Sequence, residues 1–227
     1  MSQNYTSLYI ALRYLKGRKS GFLSFISALA FISTSLGVAV LIIVSSVMNG
    51  FEKELKDRVL NVIPHASIYG LNPIDDWESI ELNLKDDTNI KGISPYIETE
   101  ALIKSKSAVA GVLVNGVISS KDKSVSVIHE FMQAGEFKNI QKDNNIVLGR
   151  LLARKLNVDI GDKISLMLPD ANSSFAGYFP RSKVFNISGI FNIGSKDIDE
   201  TLAYISLENA SILTGLKNQV HGFRLKF

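Results

Sequence analysis

Residue types able to do chemistry are few in this sequence and poorly placed for it. The three histidines, His65, His129 and His221, lie far apart, and none has the spacing to a second ligand that a metal site needs. Each reads as a surface or strand residue. Asp197, Asp199 and Glu200 form an acidic cluster after Gly194-Ser195. Paired carboxylates can act as acid and base, but this setting reads as a solvated loop. No G-x-x-x-x-G-K-S/T stretch is present to cradle nucleotide phosphates, and no G-x-S-x-G elbow presents a nucleophilic serine. Without cysteine the chain has neither thiol chemistry nor disulfides. No catalytic residue, metal ligand or cofactor is expected.

The residues suited to recognition lie elsewhere. The stretch Pro169-Asp170-Ala171-Asn172-Ser173-Ser174-Phe175-Ala176-Gly177-Tyr178-Phe179-Pro180 opens with turn formers and closes with aromatics beside a glycine and a proline. Arg181 and Lys183 follow, so an apolar tip stands on a basic base. Aromatics on such a tip either fold back on a core or are offered to a partner, and the sequence leaves both open. The loop must be held by its flanks, Lys163 to Leu168 and Lys183 to Phe191, which both read as strands.

Further elements surround that pair. His65 to Tyr69, Ala101 to Lys104 and Val109 to Val117 alternate like strands. Asp75-Asp76 can start a helix carrying Trp77, Ile80 and Leu84. Asn145 to Gly149 leads into a helix through Leu151, Leu152, Ala153 and Leu156, then a turn at Gly161-Asp162. Leu202 to Ile205 reads as a strand followed by a helix to Leu213, and His221 to Phe227 alternates again. Short strands mixed with short helices give the α+β class, in one medium domain over 64–227.

That domain is preceded by chain of another kind. Ser20 to Phe51 carries no charge, and about 32 residues of helix at roughly 1.5 Å each exceed a hydrocarbon core of roughly 30 Å. The reading is a transmembrane helix over 20–51. Arg13, Lys16, Arg18 and Lys19 precede it with no acid, whereas the far flank is mixed in sign. The N-terminus therefore stays in the cytoplasm and the main domain lies outside it. Tyr5, Leu8, Tyr9, Leu12 and Leu15 make 1–19 either an amphipathic segment on the cytoplasmic surface or a plain basic anchor. Within the span, Ala30 and Thr34, Ser33 and Gly37, and Ser35 and Ala39 give small-xxx-small spacing, which suits transmembrane partners. Phe51, Leu55, Val59 and Val62 share a face opposite the pairs Glu52–Lys56 and Glu54–Arg58, so the helix continues as a stalk over 52–63 until Pro64. The net charge of +3 is small and much of it sits in the N-terminal flank. The outer domain thus lacks the basic face that nucleic acid wants.

At Ser46-Val47-Met48-Asn49-Gly50-Phe51-Glu52-Lys53-Glu54-Leu55 the sequence resembles the LolC/LolE family of lipoprotein-releasing ABC transporter permeases. The resemblance extends back through Ala11-Leu12-Arg13-Tyr14-Leu15-Lys16-Gly17-Arg18 and forward through Val62-Ile63-Pro64-His65. It recurs at Val147-Leu148-Gly149, at Val158-Asp159-Ile160-Gly161-Asp162 and at the prolines bounding the loop. It implies a bacterial inner-membrane permease of four helices, with a MacB/FtsX-like periplasmic core between the first two. This chain would be its N-terminal part, as a fragment or a truncated product. The implied partners are a second permease subunit, a cytoplasmic LolD-type ATPase that hydrolyses ATP, a LolA-type periplasmic chaperone, a lipoprotein substrate and membrane lipid.

The resemblance carries over two sites. Val44, Val47, Met48 and Phe51 would line the cavity that receives the lipid chains, where apolar contact is worth about 0.8 kcal/mol per CH₂. Contact with bulk lipid or a partner helix accounts for the same residues. Pro169, Phe175, Gly177, Tyr178, Phe179 and Pro180 match in position the hook by which LolC-type subunits grip the chaperone, with Arg181, Ser182 and Lys183 at the neighbouring pad. Ser165 stands where LolC carries a pad arginine. Pro64-His65 and Trp77 resemble LolE, whereas Phe175 and Val184-Phe185-Asn186-Ile187 resemble LolC, and the paralogue is left open. Two other classes fit the same organisation: a MacB- or FtsX-type permease that transmits ATP-driven motion, and a single-pass anchored binding module. Met48-Asn49-Gly50-Phe51-Glu52 argues against the first.

Overall fold

Residues 6, 9, 10, 13, 21–55, 64, 66–174 and 177–227 are described in the structure, a computed structural model, without the side chains of 21, 23, 24, 54, 55 and 170–180. The chain divides into two units, Met1–Glu54 and Leu55–Phe227. Of the stalk expected over 52–63, residues 52–55 continue the long helix and 56–63 lie outside the described residues, as does most of the amphipathic segment over 1–19.

The first unit contains one long helix, α1 (Gly21–Leu55), of 35 residues. At 1.5 Å per residue it measures about 52 Å, and its section Phe25–Lys53 is long and apolar enough to cross a membrane. All its described side chains are exposed. An apolar helix left bare in this way needs lipid or a partner around it. The Thr34 hydroxyl donates to the Ala30 carbonyl at 2.9 Å, which satisfies a polar group inside the apolar run.

The second unit is a sheet covered by short helices: β1 (Ala66–Ile74), α2 (Trp77–Lys85), β2 (Gly92–Lys104), β3 (Val109–Val117), α3 (Ser119–Asp122), β4 (Met132–Gly135), β5 (Asn145–Gly149), α4 (Arg150–Leu156), β6 (Lys163–Ser174), β7 (Gly177–Phe191), α5 (Lys196–Thr201), β8 (Leu202–Ser206), α6 (Leu207–Thr214) and β9 (Val220–Lys226). The strands run β1-β9-β2-β3-β8-β5-β7-β4, and β6 joins β7 to β2. The path β2-β3-β8-β5-β7-β6 therefore returns to β2 and closes as a small barrel. Its class is the expected α+β.

Alternation along the strands sorts side chains into two cores. Ile146, Leu148, Ala203, Ile205, Phe185 and Ile187 fall in one, while Val147 and Tyr204, on the same strands, fall in the other. A bulge lies in β7 between the pairs Ile146↔Ile187 and Val147↔Gly189. It reverses the alternation, so Phe191 joins Tyr204 and Phe137 in the second core, with ring centroids 5.9 Å and 5.3 Å from Tyr204.

Helix α6 crosses β3 at Gly116, where a Cβ would collide with the Cβ of Ala210. Its first turn is capped by Ser206, whose Oγ accepts from the Asn209 amide at 3.2 Å.

Several expectations need correction. β2 starts at Gly92 rather than Ala101, because its first half pairs with β9 and its second with β3. In α2, Ile80 is exposed while Glu81 is buried between Lys121 and Lys85, at 2.5 Å and 2.8 Å. The acidic cluster is not a solvated loop but helix α5. Asp199 is 1% exposed, and its carboxylate accepts from the amides of Ile193 and Gly194, both at 2.9 Å.

Candidate functional site

The stretch expected as a loop, Pro169 to Pro180, is mostly strand. β6 and β7 pair from Lys163↔Asn186 to Met167↔Ser182 and then from Ala171↔Pro180 to Ser174↔Gly177. Between the two runs Leu168, Pro169 and Asp170 oppose Arg181 alone. This wide bulge gives proline, which lacks an N–H, a place in a strand. The β2 ladder with β6 stops at Met167, and the β5 ladder with β7 starts at Asn186. Among the described residues the far part of the hairpin thus pairs only with itself. It is a two-stranded arm growing out of the barrel wall. Phe175 lies outside the described residues, as do the side chains of Tyr178, Phe179 and Pro180.

The expected base residues turn toward α6. Lys183 Nζ donates to Asn209 Oδ1 at 2.6 Å and lies 5.8 Å from the Phe185 ring centroid. Arg181 Nη1 donates to the Thr214 carbonyl. Asn209 and Thr214 did not stand out in the sequence. On the opposite face Ser182 and Val184 are exposed. Close by, a shallow groove of about 370 Å³ is lined by Leu102, Gly111, Leu113 and Pro169, with Glu100 and Thr201 also on it.

On α1, Val44, Val47, Met48 and Phe51 are 60%, 67%, 64% and 59% exposed. Their i, i+3, i+4, i+7 spacing places them in one stripe. The stripe and the arm belong to different units of the chain.

Among the described residues no three His, Asp or Glu side chains converge as metal ligands. Asp122 is pushed up to about 6 by burial, against the pull of Arg224. Tyr204 is also raised, chiefly by burial. Both are interior, and neither lines the groove beside the arm. His221 accepts from the Glu98 amide through Nδ1 at 3.2 Å, a strand-to-strand contact.

The family model described as MacB-like periplasmic core domain matches residues 27–225, and the chain belongs to that family. It is 37% identical over 224 residues to the lipoprotein-releasing system transmembrane protein LolC of Neisseria meningitidis serogroup B, covering 96% of this chain and 53% of that protein. Against the corresponding LolE protein of Haemophilus influenzae the identity is 33% over 228 residues, covering 97% and 55%. The chain spans about half the length of the curated relatives it matches. Among solved structures, the extracellular domain of the noncanonic ABC-type transporter YknZ from Gram-positive bacteria aligns at a TM-score of 0.48 and 12% identity, over 71% of this chain and 74% of that one. The resemblance first visible at Ser46 to Leu55 thus holds across nearly the whole chain.

Proposed function

We propose that this chain is the first membrane helix and the periplasmic domain of an ABC transporter permease subunit. The transporter would extract lipoproteins from the bacterial inner membrane and pass them to a LolA-type periplasmic chaperone. The observation that carries this reading is the similarity to LolC and LolE over nearly the whole chain. In this reading α1 crosses the membrane with its N-terminus in the cytoplasm. Val44, Val47, Met48 and Phe51 meet the acyl chains, and the projecting arm meets the chaperone. A second permease subunit and a separate LolD-type ATPase complete the machine, so ATP is hydrolysed outside this chain.

The arm supports the docking half of the reading. The two-stranded arm carries Tyr178 and Phe179 in the sequence near its tip and, among the described residues, pairs only with itself, and aromatic residues dominate many interfaces. The full 227-residue chain in detergent micelles should be captured by immobilised LolA-type chaperone. A Phe175→Ala/Tyr178→Ala/Phe179→Ala variant should bind at least about tenfold more weakly. Equal capture of both proteins, or no capture of a folded wild type, would overturn the docking reading.

A further inference from the structure

The hairpin root has two faces, set by the two-residue period of β7. Phe185 and Ile187 point into the barrel core and are each 1% exposed. Arg181 and Lys183 share their parity and lie inward, whereas Ser182 and Val184 face solvent. The two cations engage opposite ends of the eight-residue helix α6. Lys183 binds Asn209 in the first turn at 2.6 Å. Asn209 is 5% exposed, and its side-chain nitrogen donates to the Asp143 carbonyl at 2.9 Å. Arg181 binds the Thr214 carbonyl in the last turn. Carbonyls there lack intrahelical donors and favour a cation. Gly215 follows at φ +79°, and a Cβ on it would collide with the Arg181 guanidinium.

We propose that Arg181 and Lys183 are positioning residues: they set the direction of the arm through α6 and do not touch the docked partner. The inference rests on the docking reading above. Among the described residues no other strand pairs with this ribbon beyond the sheet to fix its angle, and two-stranded ribbons are marginal alone. The bulge at Leu168 to Asp170 interrupts the ladder at the same level. The side chains of β7 just below it then link the arm to the barrel body. A partner at the root meets Ser182 and Val184, not the cations.

The test uses the full chain, which has no cysteine of its own. Ser173→Cys on the arm and Thr88→Cys on the body give a unique spin-label pair for distance measurement. Lys183→Ala and Asn209→Ala should each broaden the distance distribution and weaken chaperone capture by a similar factor, about tenfold. The double variant should be no weaker than either single one, and Lys183→Arg should restore both readouts. Asn209 is buried and touches no partner itself, and the double variant separates its link to Lys183 from its bond to the Asp143 carbonyl. A loss of capture in Lys183→Ala with Asn209→Ala unaffected would make Lys183 a direct contact and overturn the proposal. So would an unchanged distance distribution in both variants, whether or not the chaperone binds. If the wild type captures no chaperone yet the variants broaden the distribution, the brace stands and the docking reading falls. Should Asn209→Ala fail to fold, the comparison of Lys183→Ala with Lys183→Arg decides on the distance distribution.

Discussion

Arg224 Nη1 lies 3.9 Å from Asp122 Oδ1, and the two residues are 6% and 0% exposed. The guanidinium also donates to Asn115 Oδ1, sits 4.8 Å from the Tyr96 ring centroid and reaches Glu98 at 3.5 Å. Among the described residues neither Asp122 oxygen has a hydrogen-bond donor. Asp122 is therefore a poorly satisfied interior carboxylate, held by one shared cation.

This sets the sign of a pH effect. Burial raises Asp122 from 3.8 to about 6, above its unfolded value, so its stabilising contribution is full below 3.8 and lost as pH rises through 6. Relative to Asp122→Asn, the wild type should gain on the order of 2–3 kcal/mol between pH 7.5 and pH 4. Denaturant midpoints at several pH values measure this, and parallel curves for the two proteins would refute it. Arg224→Met strands the carboxylate and should cost about 3–5 kcal/mol at pH 7.5, less at pH 5.

Glu81 behaves in the opposite sense. Burial pushes it up, but Lys121 and Lys85 outweigh that and hold it below its ordinary value. Its contribution is present above the unfolded value and lost as pH falls through the folded one. Lys121 also lies 5.0 Å from the ring centroid of Trp77, the one tryptophan in the chain. Lys121→Met should destabilise the domain by roughly 1–3 kcal/mol and shift the Trp77 emission. Unchanged emission and stability would mean that the Glu81 pair is dispensable.

Gly116→Val tests the crossing of α6 over β3. The added side chain has to displace Ala210 and with it the helix, at a cost of about 1–3 kcal/mol. Chemical denaturation reads the loss. The distance distribution of the labelled arm should broaden as well, since α6 carries both of its braces.

A photo-crosslinking amino acid at Val44, Val47, Met48 or Phe51 should capture lipoprotein acyl chains during export in the assembled transporter. The same probe at Ile42, on the opposite side of α1 by helical spacing, should not. Equal yields from both sides would make the stripe an ordinary lipid-facing surface.

The sequence disclosed those parts of the fold whose local pattern and tertiary role agree. β3 is read at its observed bounds because Val109 to Val117 alternates between turn-forming flanks. The first half of β2 is hidden by Pro95, which argues against a strand. The arm is hidden in the same way, since Pro, Asp, Asn, Ser and Gly are poor strand formers and only the bulge and the pairing with β7 make a strand of them. Asp199 looks solvated beside Asp197 and Glu200; its burial comes from two amides in a loop that local pattern does not place. Lys183 is a different case. Phe185 and Ile187 are apolar at the same parity, so the inward turn of Lys183 was readable once β7 was assigned a buried face.

The barrel closes between β2 and β6 through three residue pairs, Leu102↔Met167, Ile103↔Leu166 and Lys104↔Ser165. β5 and β8 are also joined by three pairs, but those are packed on both faces, by Ile146, Leu148, Ala203 and Ile205 on one side and Val147 and Tyr204 on the other. At the closing seam only Ile103 and Leu166 are covered, while Leu102 is 44% exposed. Equal numbers of rungs thus differ in how well they are shielded from water. The seam is the clasp of the barrel, and its poorer shielding makes it readier to open than the β5–β8 ladder. Amide exchange should be faster at Ile103 and Leu166 than at Val147 and Ala203, although all four side chains are buried. Without the clasp β6 is held by β7 alone, while β7 keeps its pairs with β5 and β4, so the root of the arm stays tied to the sheet by one strand of its two.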